Sequence, residues 1–221
     1  MAIQPGTAST LVGSAERAYQ HTKQAIIHGD LAPGAMISEG QIAEELGISR
    51  TPVHEAFLRL DVEELLTLAS RKGAVVRPMA PHEAADVLEM REAIEAAAAS
   101  RVISAGFATA LTPALDALLA TQAEAIENAD FDAFVEADDA FHTAVVTASR
   151  NPIALTFTRQ LWDRQQRLRH QLFREAPQDM KTVFEQHGEL AQAVKNGGEA
   201  HYRRVLAAHV SLHRHQHGVE L

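Results

Sequence analysis

The chain has 221 residues, 46% of them hydrophobic but only 5% aromatic, and a formal net charge of −9. That length accommodates two modest domains, and a composition rich in alanine and leucine favours helices packed at close range. The lack of cysteine excludes disulfide frameworks and thiolate metal sites, no apolar run reaches the ~18 residues that span a bilayer, and the acidic balance gives nucleic-acid binding no global support.

The first residues, MAIQPGTAST, lack the charged start and apolar block of a signal peptide. They read as a flexible arm over 1–10, and the expected location is the cytoplasm. LVGSAERAYQHTKQAIIHG forms a first helix that ends at Gly29, with a turn at Pro33 and Gly34. Ser38 with Gln41 three residues on makes a capping box for a second helix, which stops at Gly47. A third helix takes Thr51 as its N-cap and Pro52 as its first residue, leaving Arg50 just outside. On that helix Val53, Ala56, Phe57 and Leu60 share one side and pack inward. Thr51, Glu55 and Leu58 point the opposite way, with His54 and Arg59 on the flanks. Past Glu64, LLTLASRKGAVVRPM alternates as two short strands with a turn at Gly73.

Two short helices followed by a small hairpin is the layout of a winged helix-turn-helix, predicted here for residues 1–78. Charge is split unevenly: seven Lys/Arg against nine Asp/Glu over 1–78, and thirteen against twenty over 79–221. The DNA case therefore rests on local geometry. A cation at Arg50 opposes the helix dipole, yet suits a phosphate held at that helix end. Glu55 and Arg59 also read as an ordinary (i, i+4) surface pair.

The stretch ISEGQIAEELGISRTPVHEAFLRL followed by RKGAVV resembles the DNA-binding domain of the GntR superfamily of bacterial repressors. The likeness runs over about forty residues and is carried by Ser49-Arg50-Thr51-Pro52-Val53 with Glu55-Ala56. It implies that Arg50 and Thr51 contact double-stranded DNA, with His54 and Arg59 on the same helix, and that Gly73 forms the wing tip. This sequence departs from the family in two places. His54 stands where an arginine that contacts DNA is usual, and Glu64 stands where a glycine commonly ends the recognition helix.

Residues 79–81 read as a linker, in the two-proline segment VRPMAP, and 82–221 as an all-helical bundle. Six helical patterns follow one another, one opening at Thr112-Pro113, one at Asp130 and one at Asn151-Pro152. The polar residues on their apolar stripes carry chemistry. Asp138 and His142 lie on the Phe134, Phe141, Val145 stripe. His187 centres the stripe of Val183, Leu190 and Val194, and His209 that of Tyr202, Val205 and Leu212. An unpaired buried carboxylate is expensive, and a metal ion satisfies all four groups at once. Zinc is the first expectation, with nickel or manganese admitted by the same N/O donors. His170 faces away from the Leu168 and Leu172 side of its helix. His213 is a substitute ligand, and His215 and His217 belong to a solvated tail. In the first bundle helix Arg91 sits mid-stripe with Glu95 one turn on, either as an internal ion pair or as a planar fork for a ligand carboxylate.

This half resembles the FCD ligand-binding domain of the FadR subfamily, through MREAIEAAAA, DDAFH with SRNP after it, His187 and His209. The resemblance implies a metal held by Asp138, His142, His187 and His209, beside a cavity for a small organic acid shaped by Arg91, Glu95 and Asn151. The expected protein is mainly α, a winged helix-turn-helix joined to a bundle of six or seven helices. It is expected to act as a homodimeric repressor on a palindromic operator, responding to a small carboxylate, and not as an enzyme or membrane protein. The rival reading is a metal-dependent hydrolase, with Glu95 its only candidate base.

Overall fold

The Ser38 hydroxyl accepts from the Gln41 amide while the Gln41 side chain accepts from the Ser38 amide, so the first orphan donors of a helix are met reciprocally. That helix, α2 (Glu39–Leu46), closes on Gly47 in the left-handed conformation at φ 66°. It belongs to the first of two units, Met1–Met79 and Ala80–Leu221, in a computed structural model that describes residues 6–69 and 73–216.

In the first unit α1 (Gly6–His28) precedes β1 (Met36–Ile37), α2, α3 (Arg50–Val62), β2 (Leu66–Ala69) and β3 (Gly73–Val76). The antiparallel sheet runs β1-β3-β2. Val53, Ala56, Phe57 and Leu60 of α3 are fully buried, against Ala18 and Ile26 of α1, Ile42 of α2, and Leu66, Ala74 and Val76 of the sheet. The inward face read from the sequence is the one observed.

Four local readings are corrected. α1 reaches back to Gly6, where an arm was expected through residue 10. No strong helix breaker separates residues 7–10 from the buried anchors Ala15 and Ala18, so the helix propagates backward. The N-cap of α3 is Ser49, in extended conformation, so Arg50 is the first helical residue and not the one outside. Pro52 stays within the first turn, where a missing N–H costs nothing. A third strand, β1, pairs Met36 with Val75 and Ile37 with Ala74; two residues are too few to show a period. Gly73 is not a turn tip but the first residue of β3, paired with Ala69. A Cβ there would lie 2.0 Å from the Ile37 carbonyl oxygen, and its φ is 139°, so only glycine lets the strands meet.

Glu64 adopts φ 61°, the left-handed region that a glycine takes at no cost. Its carboxylate pairs with Arg77 at 2.8 Å on a half-exposed surface. Such a pair contributes less than about 1 kcal/mol. Glu64→Gly is therefore expected to raise the unfolding free energy by about 0.5 kcal/mol in urea denaturation. A loss of stability would show that the ion pair, and not the backbone, governs this turn.

Among the described residues the second unit is six helices: α4 (Pro81–Ser104), α5 (Ala108–Glu127), α6 (Phe131–Ala148), α7 (Pro152–Glu175), α8 (Asp179–Lys195) and α9 (Glu199–Gln216). The Asp130 side chain caps α6 through the Ala133 amide, and Asn151 caps α7 through the Ile153 and Ala154 amides. α5 starts at Ala108, a turn before the expected Thr112, and Pro113 lies inside it. Leu111 is 5% exposed, so the turn ahead of the proline is drawn into the core and folded as helix. The helices bury Leu115, Phe134, Phe141, Leu172, Val183 and Leu206. Around them sits an unusual set of buried polar groups: Arg91, Glu95, Gln122, Asp138, His142, Arg169, His187 and His209.

Candidate metal centre and nucleic-acid face

The exposed side of α3 presents Arg50, Thr51, His54, Glu55 and Leu58. Its composition follows from the inward stripe: with positions 53, 56, 57 and 60 in the core, these residues face out. The Arg50 guanidinium reaches back over α2, close enough that a Cβ on Gly40 would come within 3.3 Å of it. His54 Nδ1 lies 2.7 Å from Glu39 Oε1, so the residue that replaces the usual arginine is anchored to the first residue of α2.

Arg59 is placed differently from expectation. It does not pair with Glu55. Its guanidinium binds Glu16 at 2.7 Å and stacks 3.7 Å over the Tyr19 ring, both on α1. One of its donors holds α3 to α1. Gly73 likewise serves the sheet. Residues 70–72 lie outside the described residues.

In the second unit, α6, α8 and α9 bring Asp138, His142, His187 and His209 together. One ligand atom from each lies within 4.8 Å of all the others, and all four residues are buried. Each imidazole is oriented by an oxygen on its outer nitrogen. His142 Nδ1 meets Glu95 Oε2 at 2.7 Å, His187 Nδ1 meets Gln122 Oε1 at 2.8 Å, and His209 Nδ1 meets Gln186 Oε1 at 3.0 Å. Gln122 is itself fixed, because its amide nitrogen donates to the Ala137 carbonyl at 3.3 Å. In the tautomer that carries its proton on Nδ1, each ring turns its Nε2 lone pair inward.

The inner geometry suits a cation. His142 Nε2 and His187 Nε2 stand 3.0 Å apart, and in that tautomer two acceptors face each other. Asp138 Oδ1 is 3.4 Å from His187 Nε2 and 4.0 Å from His142 Nε2, and accepts no hydrogen bond. Tetrahedral ligation at Zn–N and Zn–O lengths requires donor separations of about 3.4 Å. The donor set therefore fits a divalent ion. Burial supports this: it depresses His187 to about 4 and His142 well below its ordinary value, with Arg91 adding to the second, so both rings are in the neutral, ligating form near pH 7.

The outer partners were not read from the sequence. Gln122 lies on the face of α5 that buries Leu111, Leu115 and Ala125, and that periodicity was the available signal. Arg169, 1% exposed, forms an ion pair through Nε with Asp138 Oδ2 and another through NH1 with Asp139 at 3.0 Å. It sits three residues before Leu172 on the buried side of α7. Tyr202 donates its hydroxyl to Glu95 Oε1 at 2.6 Å.

Of the residues expected to meet an effector, Arg91 and Glu95 line a narrow cleft of about 10 Å³, room for about one water, with Ile94, His142, Thr143 and Gln165. They do not bond to each other. Glu95 holds His142 and Tyr202, while Arg91 NH2 approaches His209 Nε2 at 2.9 Å and its Nε has no partner. Burial raises Glu95 to about 7, and burial followed by Arg169 lowers Arg91 to about 10. Asn151 is elsewhere employed, its side-chain oxygen spent on the cap of α7. His170 is buried, not solvent-facing, with its ring 5.5 Å from that of Phe131, and is not part of the four-residue cluster. The side chain of His213, and His217 as a whole, fall outside what is described, as does the side chain of His215.

Comparison with known proteins gives two matches in chain order. Residues 14–76 match the family of bacterial regulatory proteins named gntR, and residues 86–212 match the FCD domain. The chain is 32% identical over 150 residues to an HTH-type transcriptional regulator encoded in the TAR-I ttuE-ttuC' intergenic region of Agrobacterium vitis, covering 65% of this chain and 85% of that one. It is 28% identical over 197 residues to the HTH-type transcriptional repressor RspR of Escherichia coli, covering 88% and 85%. Among solved structures, E. coli McbR/YncC superposes with a TM-score of 0.71 at 25% identity over 90% of this chain and 93% of that one.

Proposed function

The chain belongs to the gntR family of bacterial regulatory proteins and carries an FCD domain, a DNA-binding transcriptional regulator and not an enzyme; from that premise we propose that it is a zinc-loaded repressor whose hold on DNA is set by a small organic acid. The observation that carries this reading is the set of three Nε2 atoms and Asp138 facing one point beside a buried guanidinium in the same cleft. An ion that expands its coordination beyond those four donors would offer a carboxylate a fifth position beside a planar fork.

Arg50, Thr51 and His54 are the DNA-contacting residues of this proposal. Arg59 leaves that set because its guanidinium is committed to Glu16 and Tyr19. Two copies bind a palindromic operator as a homodimer, since two recognition helices must meet successive major-groove faces. The acid changes operator affinity by favouring one placement of the two DNA-binding units over another. The site of action is the cytoplasm; among the described residues no helix is long and apolar enough to cross a membrane. The hydrolase alternative is not favoured, because Glu95 already serves His142 and Tyr202.

Fluorescence anisotropy tests the DNA half. With the DNA upstream of its own gene as probe, the protein is expected to bind at least ~10³-fold tighter than to shuffled DNA of the same composition, with log affinity falling linearly in log salt. Equal affinity for both probes would remove the reading.

A further inference from the structure

One contact in the cleft is not explained by effector binding alone. Arg91 NH2 lies 2.9 Å from His209 Nε2, with both residues buried. A guanidinium only donates, so His209 accepts at Nε2 and carries its proton on Nδ1, where Gln186 Oε1 takes it. An imidazole nitrogen has one in-plane lone pair. The lone pair that the metal cluster needs from α9 is the one that receives Arg91.

We infer that Arg91 is a resident cation in competition with the metal for His209 Nε2, so that metal loading displaces the guanidinium and turns it toward the cleft as an anion-binding fork. This deepens the metal reading above and rests on it.

Three features of the site converge on the exchange. Arg91 Nε is buried without a partner, so the fork is only half engaged where it stands. The cleft that Arg91 lines offers Thr143, Thr158 and Gln165, polar groups that do not belong to the metal cluster. The neighbouring arginine behaves differently: Arg169 is held by two carboxylates, Asp138 and Asp139, and touches no histidine lone pair. Arg91 is thus the mobile cation and Arg169 the fixed one. Metal and carboxylate then bind with positive coupling, because the first removes the contact that keeps the receptor for the second turned away.

Zinc alone is the probe, titrated by calorimetry into chelator-treated full-length protein. Arg91→Met is expected to bind zinc at least ~10-fold tighter than the wild type, at unchanged stoichiometry. Arg169→Met deletes the same charge near the same site but frees no histidine lone pair, since its partners are the Asp138 and Asp139 carboxylates, and is expected to bind zinc no tighter than wild type. Arg91→Gln, whose shorter side chain falls short of His209, takes the place of the methionine variant if that one loses helical content. Unchanged or weaker zinc binding by the Arg91 variants, while the wild type binds one equivalent, would overturn the exchange and leave the metal site standing. Equal tightening in Arg91→Met and Arg169→Met would also overturn it, by showing that deletion of any nearby charge is enough. No zinc binding by any of these proteins, wild type included, would remove the metal reading and the exchange with it.

Discussion

Alanine at position 187 is expected to leave the purified protein without its metal. Wild-type chains should carry about one equivalent, and His187→Ala should bind zinc at least ~100-fold more weakly, since losing a ligand costs more than the 10–100-fold typical of an outer partner. The argument is geometric. His187 Nε2 is the donor nearest to both His142 Nε2 and Asp138 Oδ1, at 3.0 and 3.4 Å, and removing it leaves three groups to enclose the ion. His187 is also stacked on Phe141 at 4.6 Å, nearly parallel, and its Nδ1 is held by Gln122, so the ring cannot be replaced by a neighbour swinging inward. His170→Ala is the matched control. It removes another buried imidazole, outside the four-residue cluster, and should leave metal content at the wild-type level. Equal metal in wild type and His187→Ala, measured by elemental analysis, would sink the assignment of the site.

The second large effect concerns Arg50. A cation in the first turn of α3 opposes the helix dipole, so Arg50→Ala should leave stability unchanged or raise it by about 0.3–1 kcal/mol. The same substitution should weaken binding to the upstream DNA about tenfold and lower the magnitude of the salt slope by roughly one. Folding and binding move in opposite directions, a signature that a residue kept for structure does not give. Arg59→Ala provides the contrast. Arg59 ties α3 to Glu16 and Tyr19 of α1, so its loss should lower stability, with the DNA effect following from that. An Arg50→Ala protein that binds the upstream DNA as wild type does would take α3 out of the DNA-reading role proposed for it.

The sequence made faces legible and left partners hidden. Val53, Ala56, Phe57 and Leu60 are buried as their period required, and the Ser38–Gln41 box closes as its spacing required, because both signals are local. The four-residue cluster was legible for the same reason: polar residues on apolar stripes, two on α6 and one each on α8 and α9, point inward. What those residues touch was not legible. Arg59 meets a carboxylate 43 positions away and not the one four positions away, and the Gln122–His187 bond spans 65. A helical period fixes which side a residue is on, but not what packs there. Asn151 is the opposite case. Its local role as the cap of α7, through its side-chain oxygen, was written in the sequence. Glu64 shows a third kind, a backbone requirement for positive φ that survives a change of residue, leaving strain where glycine would be relaxed.

The central claim is that a small acid, bound in the helical unit at a metal, sets the affinity for DNA. Its most direct test is the dissociation constant for the upstream DNA, measured with zinc present across a panel of small carboxylates, for wild type and His187→Ala side by side. The account predicts that at least one acid shifts the wild-type constant by tenfold or more and leaves that of His187→Ala unmoved. No shift with any acid, or the same shift in both proteins, would contradict it.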